Sequence, residues 1–241
     1  MAAVTLTVFA LAFVVLMVGS AVQGVAGFGA NLLAAPVLVL IDPSLVPGPL
    51  IVSAVALNLL ILGGSRGDHP WRAMKWANVG QVGGAVAGAI VLGMVPTDQL
   101  AVFFAVMVLV AVGLGAIGVA PRRTPATMGA AGATAGFMGT SVGIGGPAIA
   151  LVHVGSEGDE LRAALSRFFF LGTFVSIAAL TAVDRFGATD LAAGAMLIPG
   201  ALAGFAISRR YTDRFDRRRL RVIVLVLSAV SAVAALARAL L

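Results

Sequence analysis

From end to end the chain alternates long apolar runs with short polar connectors. The first run, Met1 to about Ala26, carries no charge and is long enough for one bilayer span. Asn31 to Ile41 is also apolar, but its about 11 residues cover only about half of a 30 Å hydrocarbon core at 1.5 Å per residue. Leu50 to Leu62 continues a helix that starts near Pro47-Gly48-Pro49. The connector Gly63 to Lys75 carries Arg66, Asp68, His69, Arg72 and Lys75, with Trp71 and Trp76 placed as interface aromatics are. Trp76 to Val95 and Leu100 to Val119 are further spans, joined by the turn Pro96-Thr97-Asp98-Gln99 and closed by Pro121 to Pro125. The second half repeats the plan with Met128 to Val142, a short piece from Gly146 to Val154, then Leu161 to Val183, Leu191 to Ser208 and Val222 to Leu241. Glu157-Gly158-Asp159-Glu160 suits a helix start, Asp184 to Asp190 a loop, and Arg209 to Arg221 a strongly basic loop. The pattern predicts an all-α polytopic membrane protein with about 8–10 hydrophobic helical segments.

Two stretches interrupt this pattern. Gly136-Phe137-Met138-Gly139-Thr140-Ser141-Val142-Gly143-Ile144-Gly145-Gly146-Pro147 lies between apolar segments, and Gly24-Val25-Ala26-Gly27-Phe28-Gly29-Ala30-Asn31, followed by Pro36, answers to it in the first half. Gly costs roughly 1 kcal/mol and Pro about 3 kcal/mol against Ala inside a helix. Both stretches are therefore expected to break their helices.

The halves align without gaps over these features. Gly27-Phe28-Gly29-Ala30 falls on Gly143-Ile144-Gly145-Gly146, and Gly84-Ala85-Val86-Ala87-Gly88 on Gly200-Ala201-Leu202-Ala203-Gly204, both 116 positions later. Residues 1–120 and 121–241 thus read as two repeats of one membrane domain. Lys and Arg mark the cytoplasmic side of a membrane protein. If the repeats were parallel, the seven arginines between Arg209 and Arg221 would lie outside. If they are inverted, 14 of the 16 basic residues lie on the cytoplasmic side and only Arg185 and Arg238 do not. Inverted topology is the expectation, with both termini outside and a glycine-break pair in each half that either re-enters or crosses twice. Inverted repeats with broken helices are a secondary-transporter design, and the exposed amides of a half-helix N-terminus suit an anion.

Composition narrows the class further. Apolar residues make up 60% of the chain and charged residues 11%, with mean hydropathy +1.07, far from the about 45–50% and 25% of a soluble domain. The net charge of +6 comes from arginines in short loops, where they act as topology signals, so nucleic acid is not the expected partner. The lack of Cys excludes disulfides, thiolate metal sites and a thiol nucleophile. All ten carboxylates lie in loops or at helix ends, which disfavours a carboxylate proton relay and a cationic substrate. An intramembrane enzyme finds no support: Ser141 has only His153 as a candidate base, and nothing orients it. No cofactor or metal is called for.

At its second break, Ala135 to Leu151, the sequence resembles the sulfite exporter TauE/SafE family of membrane permeases. The family pattern there is a glycine-rich GxxGxGGG followed by a small apolar run and a proline. This chain has Pro147 where a third glycine is usual, and in its first half Ala30 and Asn31 interrupt the glycines while Pro36 is kept. The resemblance extends over essentially the whole chain. It implies a multi-pass protein of the inner cell membrane that transports small sulfur-containing anions: sulfite, sulfonates, sulfoacetate or thiosulfate. The alternative is a permease or channel for another small anion.

The expected substrate-binding residues are Gly27, Gly29 and Asn31 at the first break, and Thr140, Ser141, Gly143, Gly145 and Gly146 at the second. His153, in the short piece after the second break, suits an anion or a coupling proton. Arg167 lies roughly a turn inside the core and offers a planar fork for an oxyanion, with snorkelling to the interface as its alternative. Arg162, nearer the loop, suits snorkelling. Gln23, Ser53, Asn58, Ser166 and Thr173 either bond a substrate or pair helices. Gly84/Gly88 and Gly200/Gly204 are GxxxG packing faces, which serve contacts within the chain or a homodimer.

Overall fold

The computed structural model describes residues 6–26, 29–64, 74–116, 121–152, 159–209 and 217–240. Among them are ten α-helices: α1 (Leu6–Ala26), α2 (Ala30–Ile41), α3 (Gly48–Gly64), α4 (Lys75–Met94), α5 (Leu100–Ala116), α6 (Pro125–Val142), α7 (Gly146–Leu151), α8 (Asp159–Ala182), α9 (Ala188–Ser208) and α10 (Arg217–Leu240). No strand occurs among the described residues. Seven of the described segments, one on each of α1, α3, α4, α5, α8, α9 and α10, are long and apolar enough to cross a membrane. The fold is thus an all-α, polytopic membrane protein.

Some boundaries differ from the sequence reading. The short piece α7 stops at Leu151, with Val152 in a turn. Helix α9 starts at Ala188 because Asp190 reaches back, its Oδ2 accepting from the Gly187 N–H at 2.9 Å. Helix α10 begins at Arg217, so four arginines of the expected basic loop are helical. Both helix breaks fall where the glycines place them. Helices α1 and α6 end at Ala26 and Val142, and α2 and α7 start at Ala30 and Gly146, each pair 116 positions apart.

Close backbone approaches fix the helix directions. Gly80, Gly84 and Gly88 of α4 abut Gly129, Ala133 and Phe137 of α6. The numbers rise together, so α4 and α6 run parallel. By the same logic Gly200 and Gly204 of α9 against Phe13 and Met17 make α1 and α9 parallel. Gly48 and Gly194, against Asp190 and Val52, align α3 with α9, and Gly172 and Gly93, against Gln81 and Val183, align α8 with α4. Helices α8 and α9 are joined by only the short turn 183–187, so spans joined there run opposite ways. Helices α1, α3 and α9 therefore point one way, and α4, α6 and α8 the other. Every helix matched at the 116-residue offset opposes its counterpart, including α5 and α10, where Arg221 at the start of one reaches Gly115 at the end of the other. The repeats are inverted.

The packing also exchanges partners between halves. The first helix of each half lies on the fourth of the other, α1 on α9 and α6 on α4. Glycine makes this possible, because a Cβ at Gly84, Gly132 or Gly136 would run into the backbone of the facing helix. Without a hydrophobic drive between helices in lipid, such close contact is the main source of cohesion. The GxxxG faces are thus occupied within the chain, which removes them as the surface of a homodimer.

Both short helices are re-entrant. Arg123 Nε donates to Val152 O at 2.8 Å and so ties the end of α7 to the start of α6. Arg238 Nη1 donates to Leu40 O at 2.8 Å, at the end of α2. Since α10 opposes α5, that end lies on the membrane face where α1 begins. Each break is therefore a hairpin tip, reached from one face by the first half and from the other face by the second.

Candidate functional site

The two tips meet. Asn31 Nδ2, at the start of α2, donates to Gly143 O, the left-handed cap of α6, at 2.9 Å. Only glycine holds that cap cheaply: its φ is +79°, and a Cβ there would lie 2.9 Å from Leu50. Gly29, the N-cap of α2, is also left-handed, with φ +108°. On the first tip Ala30 N–H donates to Gln23 Oε1 at 3.2 Å, closing α2 back onto α1.

A cavity opens at this junction. Its volume measured at water centres is about 90 Å³, several times the roughly 10–15 Å³ that one water requires. The first half contributes Gln23, Gly29, Asn31 and Leu32, with Ile51, Ala54 and Asn58 of α3 and Gln81 of α4. Helix α6 contributes Ala135, Gly136, Gly139 and Gly143, and the second tip continues the wall through Ile144, Gly145, Gly146 and Pro147. Helix α8 supplies Leu165, Ser166, Phe169, Gly172, Thr173 and Ser176. That spacing of one, three and four is a single helical face. Glycine lines much of the second tip, so backbone dipoles reach the space that side chains would otherwise fill.

Most polar groups in this wall are already engaged. Gln81 Nε2 donates to Phe168 O at 3.1 Å, in room that Gly172 leaves by lacking a side chain. Thr173 Oγ1 donates to Phe169 O at 2.8 Å, one turn back in its own helix. Ser176 Oγ and Thr140 Oγ1 share a hydrogen bond of 2.7 Å.

The expected residues divide accordingly. Gly29, Asn31, Gly143, Gly145 and Gly146 come together at the cavity. Thr140 and Ser141 do not line it: both are fully buried behind the α6 face that carries Gly136, Gly139 and Gly143. Thr140 holds Ser176, and Ser141 Oγ is buried with no hydrogen-bond partner among the described residues. Arg167 also lies outside the lining. At about 100° per residue it sits roughly 160° around α8 from the centre of the lining face, half-buried. Gly27 and His153 are outside the described residues. Gln23, Asn58, Ser166 and Thr173 are in the wall, whereas Ser53 is turned back to Leu50 O at 2.8 Å. The sequence reading passed over Gln81 and Ser176. Gln81 carried a usable signal, a carboxamide in the middle of a small-residue span.

An inverted-repeat bundle of membrane helices with two re-entrant tips converging on a polar cavity defines a class, that of broken-helix membrane transport proteins. Within it the chain belongs to the sulfite exporter TauE/SafE family, whose model matches residues 11–235. No curated protein and no solved structure matched the chain in the corresponding searches. Membership makes it a multi-pass membrane permease of a family named for sulfite export.

Proposed function

We propose that the protein is a secondary permease of the inner cell membrane that moves small sulfur-containing anions, among them sulfite, sulfonates, sulfoacetate or thiosulfate. The substrate sits between the two hairpin tips, and alternating access exchanges the roles of residues 1–120 and 121–241 about it. The observation that carries this reading is the Asn31–Gly143 hydrogen bond, which joins the two breaks at the wall of one cavity. A tip reached from each face is what an inverted-repeat transporter needs, since either hairpin can gate its own side. Gly29, Asn31, Gly143, Gly145 and Gly146 are the residues proposed to touch the anion. Gly143 N–H is held by Gly139 O at 3.1 Å; the missing side chains of Gly145 and Gly146 let backbone amides beside it approach the anion's oxygens.

Uptake of labelled sulfite, sulfoacetate, taurine and thiosulfate into proteoliposomes, with and without a pH gradient, tests the proposal. Flux of at least one sulfur anion above protein-free vesicles is expected. Flux confined to a non-sulfur anion would assign another cargo to the same scaffold, and no flux of any anion would end the permease reading.

A further inference from the structure

Every described residue in the cavity wall is uncharged. Two of them stand apart from the engaged groups described above. Asn58 of α3 is 4% exposed and Ser166 of α8 is 3% exposed. Both line the cavity, and neither hydrogen-bonds another described residue. Ser141 Oγ is sealed away from the cavity, whereas the Asn58 carboxamide and the Ser166 hydroxyl border it, where a bound solute can meet them. They line one cavity from opposite repeats, and each brings it a polar group able to donate.

Resting on the permease reading above, we infer that this cavity selects singly charged oxyanions, a sulfonate or the hydrogen sulfite ion, and that Asn58 and Ser166 donate to their oxygens. The reason is how solvation scales with charge. The Born cost of leaving water grows with the square of the charge, so a dianion loses roughly four times what a monoanion loses. A fixed cation in the wall would offset that difference, as arginine does where doubly charged oxyanions are held. Here Arg167 stands on the far face of α8, and the described residues of the wall offer carboxamide, hydroxyl and backbone donors. Neutral donors suffice for one delocalised charge, and they leave a second charge without compensation.

The intact chain in proteoliposomes provides the test. Uptake of methanesulfonate and isethionate is compared with that of sulfate, thiosulfate and sulfoacetate, the last fully ionised at neutral pH. The monoanions are expected to enter about tenfold faster or more, the size of one lost charge-assisted hydrogen bond. At fixed total sulfite, protein-dependent uptake is expected to rise as pH falls and the hydrogen sulfite fraction grows. Dianion uptake equal to or faster than monoanion uptake overturns the inference while leaving the permease intact. No uptake of any anion overturns both. Ser166→Ala and Asn58→Leu are each expected to raise the monoanion KM by about tenfold. Ser166→Ala removes one atom from a face that tolerates small residues, so it keeps the test open should Asn58→Leu fold poorly. An unchanged KM in a folded Ser166→Ala protein removes that side chain from the site.

Discussion

At the scale of single residues, the site rests on one cross-link and one backbone conformation. The Asn31 amide spans 112 positions of sequence to reach Gly143 O. Replacing it with Leu leaves that carbonyl without its side-chain donor, at a cost of about 1–3 kcal/mol. Asn31→Leu should therefore lower the thermal midpoint of the detergent-solubilised protein and also reduce anion flux. A variant with wild-type midpoint and wild-type flux would show that the tips do not depend on this bond. The same scale shows where sequence reasoning stops. Glycine density located both tips to within about a residue, because the cost of glycine in a helix is local. The rotation of a helix about its axis is not local. Residue type favours Thr140, Ser141 and Arg167. Whether they reach the cavity depends on which face α6 and α8 turn inward, and that is set by partners far away in sequence. Helix α8 illustrates this: Ser166 lines the cavity and its neighbour Arg167 does not.

At the scale of elements, two devices recur on both sides of the pseudo-symmetry: glycine-lined helix contacts and arginine-tied helix ends. Arg123 and Arg238 tie the ends of α7 and α2, Arg221 reaches Gly115 near the end of α5, and Arg185 Nη2 reaches Val95 O beyond the end of α4. The carbonyl end of a helix is partly negative and lacks internal partners, so a guanidinium is well placed there. This accounts for Arg185 and Arg238, the two basic residues that charge bias leaves on the outer face. Both are spent on helix ends and need no topological role. The glycine contacts permit a matched comparison. A Cβ at Gly84 runs into the Ala133 backbone, whereas a Cβ at Gly83 meets nothing within 4 Å. Gly84→Ala is expected to push α4 and α6 apart and cost about 2 kcal/mol or more. Gly83→Ala should be neutral or stabilising by up to about 1 kcal/mol through helix propensity. Denaturant or thermal unfolding of the two variants side by side checks the difference, and equal midpoints would mean that α4 and α6 do not pack this closely in the membrane. These contacts were partly visible in the sequence as GxxxG pairs. Their partners were not, because spacing reveals a packing face without naming the helix that fills it.

At the scale of the whole molecule, the duplicated plan and its inversion were legible from two local signals, matched helix breaks and the distribution of arginine. The asymmetry inside that plan was not. At the 116-residue offset the α8 residues Ser166, Gly172, Thr173 and Ser176 fall on Leu50, Ala56, Leu57 and Leu60 of α3. The polar face of α8 therefore has no counterpart at the matching positions of α3, which enters the cavity with a different face, through Ile51, Ala54 and Asn58. Duplication set the frame, and divergence within it built the site. The frame itself makes a demand that can be checked without any substrate. Because α4 and α8 run parallel and Arg185 bridges to Val95, the turns at 95–99 and 183–187 must share one face of the membrane. Thr124, at the start of α6 beside Arg122 and Arg123, must lie on the other face, and charge bias makes that face cytoplasmic. The chain has no cysteine, so single introduced thiols report without background. Thr97→Cys and Gly187→Cys are expected to react with a membrane-impermeant maleimide on intact cells, and Thr124→Cys only after permeabilisation. Thr97 and Gly187 reacting from opposite sides would break the inverted arrangement itself. Labelling of Thr124→Cys alone on intact cells would keep the arrangement and reverse its orientation in the membrane.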